Sequence, residues 1–234
     1  MLKERLIKSS HRVKNHGEVF TPKNIVDSML EQPEIFEKIK DISATFLEPS
    51  AGEGAFIVEI IRKRIEICNK ISETQKEFDF NCLLALSTVY GIELLEDNME
   101  MLVMNAYSIF SECYHKYAYD NKYIINSKVL KSARVIIQAN MQQGDTLKYI
   151  NSEGNPIIFS EWQVQNNKKI KRIEFTFESI INNGKPLESV TPSVEQLDLF
   201  DLFDDETNQS SNKKIEYKIV DFEEVYKEET IELE

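Results

Sequence analysis

The stretch FLEPSAGEGAF, residues 46–56, decides the fold of this chain. Its apolar start is typical of a short buried strand that ends at Pro49, and Gly52 and Gly54 mark a tight turn. Beyond the turn, apolar residues over 56–67 recur at the spacing of one helical face. The stretch therefore predicts a strand, a glycine turn and a helix in direct succession.

Two more segments continue this alternation of strands and helices. The run VYGIE ends at Glu93 and the run MQQGD ends at Asp145, and each is typical of a strand that stops at an acidic residue. Long helical patterns lie between them, over residues 96–117 and 122–140. Strands that alternate with helices predict a parallel sheet with helical crossovers, and hence the α/β class.

The pattern changes after Leu147. The segments NPIIFSEW and IKRIEFTFESI alternate apolar and polar residues in part, which predicts strands that are suited to antiparallel pairing. Residues 187–234 hold 15 Asp and Glu against 4 Lys, whereas the rest of the chain is close to neutral. This composition predicts a largely disordered acidic tail, within which KIEYKIVDFEEVY is suited to one edge strand.

Cysteine usage and hydropathy limit the class of protein. The three cysteines form no CxxC pair and the three histidines show no metal-ligand spacing, which favours a reducing compartment without a metal centre. The charged start MLKERLIKSSHRVK lacks the apolar core of a signal peptide, and no apolar run has the length of a membrane span. We therefore expect a soluble cytoplasmic protein with no membrane partner.

The glycine turn and the two acidic strand ends suit a nucleoside ligand. In a parallel sheet, ligands bind beyond the carboxyl ends of the strands, where Gly52 and Gly54 let the backbone approach them. The next helix presents free N–H groups to anionic ligand groups. The carboxylate of Glu93 suits the two hydroxyls of a ribose, and Asp145 suits an adenine amino group. The alternative is a tight turn beside solvated surface charges.

Taken in order, these motifs resemble those of adenine-specific DNA methyltransferases of restriction–modification systems. The segment GEVFTP at residues 17–22 is similar to the opening motif of that family, and LEPSAGEGAF is similar to its first cofactor motif. GIEL at 91–94 and GDTL at 144–147 resemble the second and third motifs. The resemblance implies that S-adenosylmethionine is held by Phe20, Thr21, Glu48, Ala51, Gly52, Gly54, Glu93 and Asp145.

The resemblance also implies a Rossmann-like class I methyltransferase fold with a parallel sheet. The fold would be incomplete, because too few residues separate Asp145 from the acidic tail to build the rest of the family's sheet. We expect an N-terminal helical arm with the opening cofactor motif over residues 1–22. A methyltransferase-like α/β domain would follow over 23–186, and the acidic tail over 187–234.

This sequence departs most clearly from the family at the catalytic motif, which is Asn/Asp/Ser-Pro-Pro-aromatic. In the family, a flipped-out adenine stacks on the aromatic ring while the polar side chain orients its amino nitrogen. This chain contains no Pro-Pro pair. The local candidates for a base site are Asn155, Pro156 and Phe159 in NPIIF, and the alternative is a turn that leads into a strand.

Two further segments offer candidate contacts with DNA and with proteins. The basic run NNKKIKR supplies candidate phosphate contacts, with solvated charge as the alternative, at Lys168, Lys169, Lys171 and Arg172. The peptide QLDLF within the acidic tail resembles the short peptides that dock on bacterial sliding clamps. Its candidate anchors, unless the stretch folds back on the body, are Gln196, Leu197, Leu199 and Phe200.

The sequence leads to two hypotheses of different kinds. The first is an S-adenosylmethionine-dependent DNA adenine N6-methyltransferase that acts within a restriction–modification system, alone or with a catalytic or specificity subunit. The second is a non-catalytic, methyltransferase-like subunit or regulator that binds a partner protein through its tail. The absent Pro-Pro pair favours the second hypothesis, whereas the ordered cofactor motifs are common to both.

Overall fold

A computed structural model describes residues 8–16, 18–187 and 214–233. The described chain is a mixed α/β structure, and the prediction of a parallel sheet is confirmed. Three parallel strands pair in the order β1-β2-β3, and their bounds are Phe46–Glu48, Val89–Glu93 and Met141–Gln143.

Helices connect these strands in sequence, as the alternating pattern predicts. Helices α1, α2 and α3 precede the sheet at Ser10–His16, Lys23–Leu30 and Pro33–Lys40. Helices α4 and α5 lie between β1 and β2 at Ala55–Ile71 and Gln75–Ser87. Helices α6 and α7 lie between β2 and β3 at Glu96–Asp120 and Ser127–Asn140.

The two faces of the sheet are covered by different layers, because side chains of a strand alternate between faces. On one face, Val89 belongs to the main core, which is built mostly from apolar residues of α4 to α7. On the other face, Ile92 packs in a smaller cluster with Ile157, Phe159 and Phe177. The carboxyl ends of the strands lie at one edge, where Glu48 and Glu93 are brought together with the turn that follows β1.

The second layer is antiparallel, so that prediction is also confirmed. Strands β4 and β5 pair antiparallel at Ile158–Val164 and Lys169–Thr176. A short 3₁₀ helix connects them at Asn166–Lys168, and helix α8 follows at Phe177–Ile181. The hydroxyl of Tyr90 in β2 donates to the carbonyl of Ser160 in β4 at 2.8 Å, which ties this layer to the parallel sheet.

The prediction of a largely disordered tail is wrong for residues 214–233. Strands β6 and β8 pair antiparallel at Lys214–Tyr217 and Thr230–Leu233, and β7 at Val220–Asp221 pairs with β5. A 3₁₀ helix at Phe222–Lys227 packs on the body.

Apolar burial explains why this acidic segment folds. Phe222 is 3% exposed and its ring lies 6.5 Å from that of Trp162, while Val225 is also buried. The hydroxyl of Ser132 in α7 donates to the carbonyl of Glu223 at 2.9 Å. Three acids of this segment pair with basic side chains, Glu216 with Lys171, Glu224 with Lys128 and Glu228 with Arg172, so net charge alone was a poor guide to its structure. Residues 188–213, with Gln196, Leu197, Leu199 and Phe200, lie outside the described residues.

Candidate functional site

A cavity of about 650 Å³ opens beside the turn that follows β1. The opening motif and the first cofactor motif are far apart along the chain, but both contribute to its walls. The structure thus brings six of the eight predicted cofactor residues together around one space, namely Phe20, Thr21, Glu48, Ala51, Gly52 and Gly54.

The turn has a backbone shape that requires glycine. Gly52 and Gly54 have φ angles of +56° and +94°, which side chains of L-residues rarely adopt. A Cβ at Gly54 would lie 2.6 Å from Cδ1 of Leu102, so this position is also closed by packing. A Cβ at Gly52 would meet only the ring of Phe20, at 3.7 Å. Gly54 therefore packs the turn against α6, while Gly52 keeps the cavity wall thin.

Glu48 supplies a half-buried carboxylate to the cavity. Burial raises the pKa of Glu48, and a hydrogen bond that its Oε1 accepts from the N–H of Ser50 at 3.2 Å opposes that rise. The described salt bridges include none to Glu48. A cationic ligand group would therefore stabilise the ionised form of this side chain.

Glu93 lies beneath the turn rather than in the cavity wall. It is 6% exposed, and its Oε2 accepts a hydrogen bond from the backbone N–H of Gly52 at 2.8 Å. Its Oε1 accepts from the N–H of Leu95 at 3.1 Å and from Nδ2 of Asn98 at 3.2 Å. The side chain predicted to bind a ribose thus also holds the turn in place.

Asp145 lies at the same edge but outside the cavity wall. Its Oδ1 accepts from the backbone N–H groups of Leu147 and Lys148, at 3.0 and 3.2 Å. A hydrogen bond from Lys148, which also forms an ion pair with it at 2.8 Å, lowers the pKa of Asp145. The hydroxyl of Thr146 donates to the carbonyl of Pro49 at 2.6 Å, so the loop after β3 lies against the turn.

A charged network between the N-terminal arm and α6 was missed at the level of sequence. Nζ of Lys8 lies 2.8 Å from Glu53 and 3.0 Å from Asp97, and Arg12 contacts both Glu18 and Asp97. Nδ2 of Asn98 donates to Glu18 at 2.8 Å as well as to Glu93. The basic arm was visible in the sequence, but nothing local in the sequence identified its acidic partners.

The far wall of the cavity was also missed. Nζ of Lys23 lies 3.1 Å from Glu59, and Nδ2 of Asn105 donates to the carbonyl of Glu53 at 2.9 Å. The polar positions on the facing sides of α4 and α6 gave a signal, since they recur at helical spacing. The wall residues that these two helices contribute include Glu59, Arg62, Asn105, Ser108 and Glu112.

The candidate base site does not have the expected arrangement. Asn155 is exposed and closes a turn, because its N–H donates to Oδ1 of Asn151 at 2.9 Å and its carbonyl accepts from the N–H of Asn151. Strand β4 begins after this turn, at Ile158, so no strand of the described chain leads into Asn155. Pro156 forms only an isolated bridge with Ile150.

Phe159 is unsuited to stacking on a base. It is 3% exposed, and its ring lies edge-on to the rings of Tyr90 and Phe177, at 5.4 and 5.9 Å. Its position in the smaller core cluster follows from the alternation of β4. The structure therefore places Asn155 in an exposed turn and Phe159 in a core cluster, so it does not bring the two side chains together at one exposed site.

The four basic residues predicted to contact DNA do not form one exposed patch. Arg172 is bridged to Glu228 at 2.7 Å and to Glu174 at 3.3 Å, and its guanidinium lies over the ring of Tyr217. This intramolecular pairing removes Arg172 from the predicted patch. Lys171 pairs with Glu216 at 3.2 Å, Lys168 is exposed over the ring of Phe80, and Lys169 is exposed.

The described ranges contain neither a metal cluster nor a membrane-spanning helix. Residues 8–16, 18–187 and 214–233 contain no cluster of three or more His, Cys, Asp or Glu that is arranged to hold a metal ion. In the same ranges, no helix combines the length and the apolar character needed to cross a membrane.

The fold and the site together define a mixed α/β protein with a polar cavity at the carboxyl edge of a parallel sheet. Comparison with known proteins adds no family to this description: no family model matches the chain, and no curated protein or solved structure is significantly similar to it.

Proposed function

We propose that this chain binds S-adenosylmethionine at the carboxyl edge of a Rossmann-like sheet, as a relative of adenine-specific DNA methyltransferases. One observation carries the proposal. Residues of two motifs that are about 30 positions apart in the sequence line the same cavity, in the way that their resemblance to cofactor motifs requires. The cavity also has a volume typical of small-molecule sites.

The chemistry of the lining fits the methionine end of this cofactor. The thin wall at Gly52 lets a ligand approach the backbone, and the free N–H groups at the start of α4 favour a carboxylate. Glu48, which is half-buried and whose described hydrogen bond comes from a backbone N–H, suits an ammonium or sulfonium cation.

The nucleoside end would be held by the two acids beside the cavity. Oε2 of Glu93 accepts one described hydrogen bond, from Gly52, and a carboxylate oxygen has capacity for a second from a ribose hydroxyl. Asp145 would accept from the adenine amino group. When bound, S-adenosylmethionine supplies an electrophilic methyl group, and the residues of this chain orient it and limit its exposure to water.

A second candidate function is that of a non-catalytic subunit or regulator. It is favoured by the exposed turn at Asn155 and the buried ring of Phe159, because neither residue is placed to bind a flipped-out adenine. Such a subunit would keep the cofactor site and dock on a sliding clamp or another protein through residues 196–200. Methyl transfer to DNA adenine would then need a base site from elsewhere.

Calorimetric titration with S-adenosylmethionine tests cofactor binding, which both candidate functions require. We expect saturable binding to the wild type, and at least about tenfold weaker binding, or about 1.4 kcal/mol, for Glu48→Gln and Glu93→Ala. Glu100→Ala, on the exposed side of α6, is the matched control and should bind like the wild type. No binding by the folded wild type would refute the proposal.

An assay for N6-methyladenine in unmethylated duplex DNA separates the two candidates. Incorporation by the purified chain that is lost in Glu93→Ala would establish the enzyme. Cofactor binding without incorporation would support the non-catalytic function, which further predicts that a sliding clamp retains the wild type but not a Leu199→Ala/Phe200→Ala variant.

A further inference from the structure

The buried amide of Asn98 uses its full hydrogen-bonding capacity. Asn98 lies near the start of α6 and is 1% exposed. Its Nδ2 donates to Oε1 of Glu18 at 2.8 Å and to Oε1 of Glu93 at 3.2 Å. Its Oδ1 accepts from Nζ of Lys8 at 2.6 Å and from Nη2 of Arg12 at 3.3 Å. Two acids therefore contact the donor end of this amide, and two cations contact its acceptor end.

These partners leave the Asn98 amide only one orientation. A reversed amide would direct its oxygen at two carboxylates and its N–H groups at two cations, which would make all four contacts repulsive. A hydrogen bond from Arg12 lowers the pKa of Glu18, so Glu18 is a carboxylate at neutral pH. In a network of buried hydrogen bonds each bond polarises the next, so a change at the cations reaches the carboxylate of Glu93 through this amide.

The two acids belong to separate segments of the wall of the candidate cofactor cavity. Glu18 is followed directly by residues 19–21, which line the cavity. Glu93 holds the glycine turn, since its Oε2 accepts from the N–H of the wall residue Gly52 at 2.8 Å. Asn98 lies behind the wall and joins the supports of both segments.

The two cations come from the N-terminal arm, whose described part is residues 8–16. Nζ of Lys8 also lies 2.8 Å from Oε1 of Glu53, a wall residue of the glycine turn. Arg12 also donates to Glu18 through Nε and Nη2. The side chains of Lys8 and Arg12 are 22% and 23% exposed, so salt screens these contacts only in part. Docking of the arm therefore stabilises both segments of the wall.

We propose that Asn98 is a positioning residue that couples docking of the N-terminal arm to the orientation of the Glu93 carboxylate. The consequence for S-adenosylmethionine rests on the proposed function: arm docking and cofactor binding favour each other. Coupling between two sites is reciprocal, so a bound cofactor strengthens arm docking by the same factor by which the docked arm strengthens cofactor binding.

A double-mutant cycle without any ligand tests the coupling itself. In the described structure no hydrogen bond or ion pair joins Arg12 directly to Glu93, so independent effects would multiply in the equilibrium constant of unfolding. We expect Arg12→Gln and Glu93→Gln together to depart from that product by at least about threefold in urea denaturation. Lys14→Gln, at an exposed position of the same arm, replaces Arg12→Gln in the control cycle and should show no departure.

Asn98→Ala shows whether the amide is the link. It removes both ends of the amide, so the departure for Arg12→Gln and Glu93→Gln should disappear in this background. A departure that persists in Asn98→Ala would overturn the proposal. If Asn98→Ala does not fold, the cycle in the otherwise unchanged chain remains decisive, because simple multiplication of the two effects there would also overturn it.

Titration with S-adenosylmethionine tests the consequence for the cofactor. Arg12 lies outside the cavity wall, yet Arg12→Gln should bind S-adenosylmethionine at least about fivefold more weakly than the wild type. Lys14→Gln should bind like the wild type. Saturating S-adenosylmethionine should slow hydrogen exchange at the backbone amides of α1 by a similar factor in the wild type, and should leave α8 unchanged.

The two measurements distinguish a failure of the coupling from a failure of the proposed function. No binding of S-adenosylmethionine by a wild type that shows the threefold departure would refute the cofactor and leave the coupling of the arm to Glu93 established. Equal affinities of the wild type and Arg12→Gln for the bound cofactor would show that arm docking does not act on the cavity, and would overturn the coupling as a determinant of binding.

Discussion

The carboxylate of Glu93 accepts a hydrogen bond from the backbone N–H of Gly52 at 2.8 Å, across 41 positions of sequence. This bond joins the carboxyl end of β2 to the turn that follows β1. Through Asn98, the same carboxylate is linked to Glu18 and to the N-terminal arm. One buried acidic side chain therefore connects the turn beside the cavity, through Asn98, with the contacts of the arm.

Glu93→Gln should destabilise the chain by about 1–3 kcal/mol, because a carboxamide has one acceptor oxygen and leaves a buried donor unpaired. Urea denaturation measures this loss. Glu100→Gln removes a charge from the exposed side of α6 and should change the free energy of unfolding by less than about 0.5 kcal/mol. Equal effects of the two substitutions would show that the bond to Gly52 is unimportant for stability.

Alanine at the two glycines of the turn should have unequal costs. Gly52→Ala should cost about 1–2 kcal/mol, from the left-handed backbone alone. Gly54→Ala should cost about 1–3 kcal/mol more, because its Cβ would overlap Leu102. Denaturation of both variants gives the comparison, and Leu102→Val should recover part of the stability of Gly54→Ala. If Leu102→Val does not recover stability, the overlap with Leu102 is not the cause of the loss in Gly54→Ala.

The arm should make stability depend on pH through Asp97. Hydrogen bonding by Arg12 lowers the pKa of Asp97 from an ordinary value of 3.8 to about 2. A carboxylate with a depressed folded-state pKa stabilises the fold above its ordinary pKa, and this contribution is lost as pH falls towards about 2. The effect should be small, because Asp97 is 51% exposed.

Urea denaturation over this acidic range checks the role of Asp97. Asp97→Asn should be less stable than the wild type near neutral pH and should approach it at low pH. The stability of Asp120→Asn, a substitution at the exposed end of α6, should vary with pH in the same way as that of the wild type. High salt should reduce the difference, and a difference that does not vary with pH would exclude the ion pair as its cause.

Phe222→Ala should show that the acidic C-terminal segment is part of the fold. Removing a buried ring that packs against Phe80 and Trp162 should cost about 3–5 kcal/mol. Ile219→Ala in the same segment should cost less than about 1 kcal/mol, since Ile219 is 51% exposed. Thermal or urea unfolding measures the stability of both variants. A small loss of stability for Phe222→Ala would mean that the C-terminal segment contributes little to the stability of the fold.

The local patterns of the sequence determined the parallel sheet, its crossover helices and the glycine turn. Periodicity and turn residues encode such elements over short distances, so residues 46–56 were sufficient to place β1, the turn and α4. The cavity lining at Phe20 and Glu48 was also predictable, since its motifs occur in an order that can be recognised without a structure.

Only the tertiary structure decided which distant groups meet. Arg64 illustrates this: it is fully buried, and it donates to the carbonyls of Asp41 and Ala85, although its position in the sequence is that of an ordinary basic residue on a helix. Likewise, the acidic composition of 214–233 concealed the burial of Phe222. Composition and spacing describe a side chain and its near neighbours, whereas ion pairs and cavity walls depend on how whole elements pack against each other.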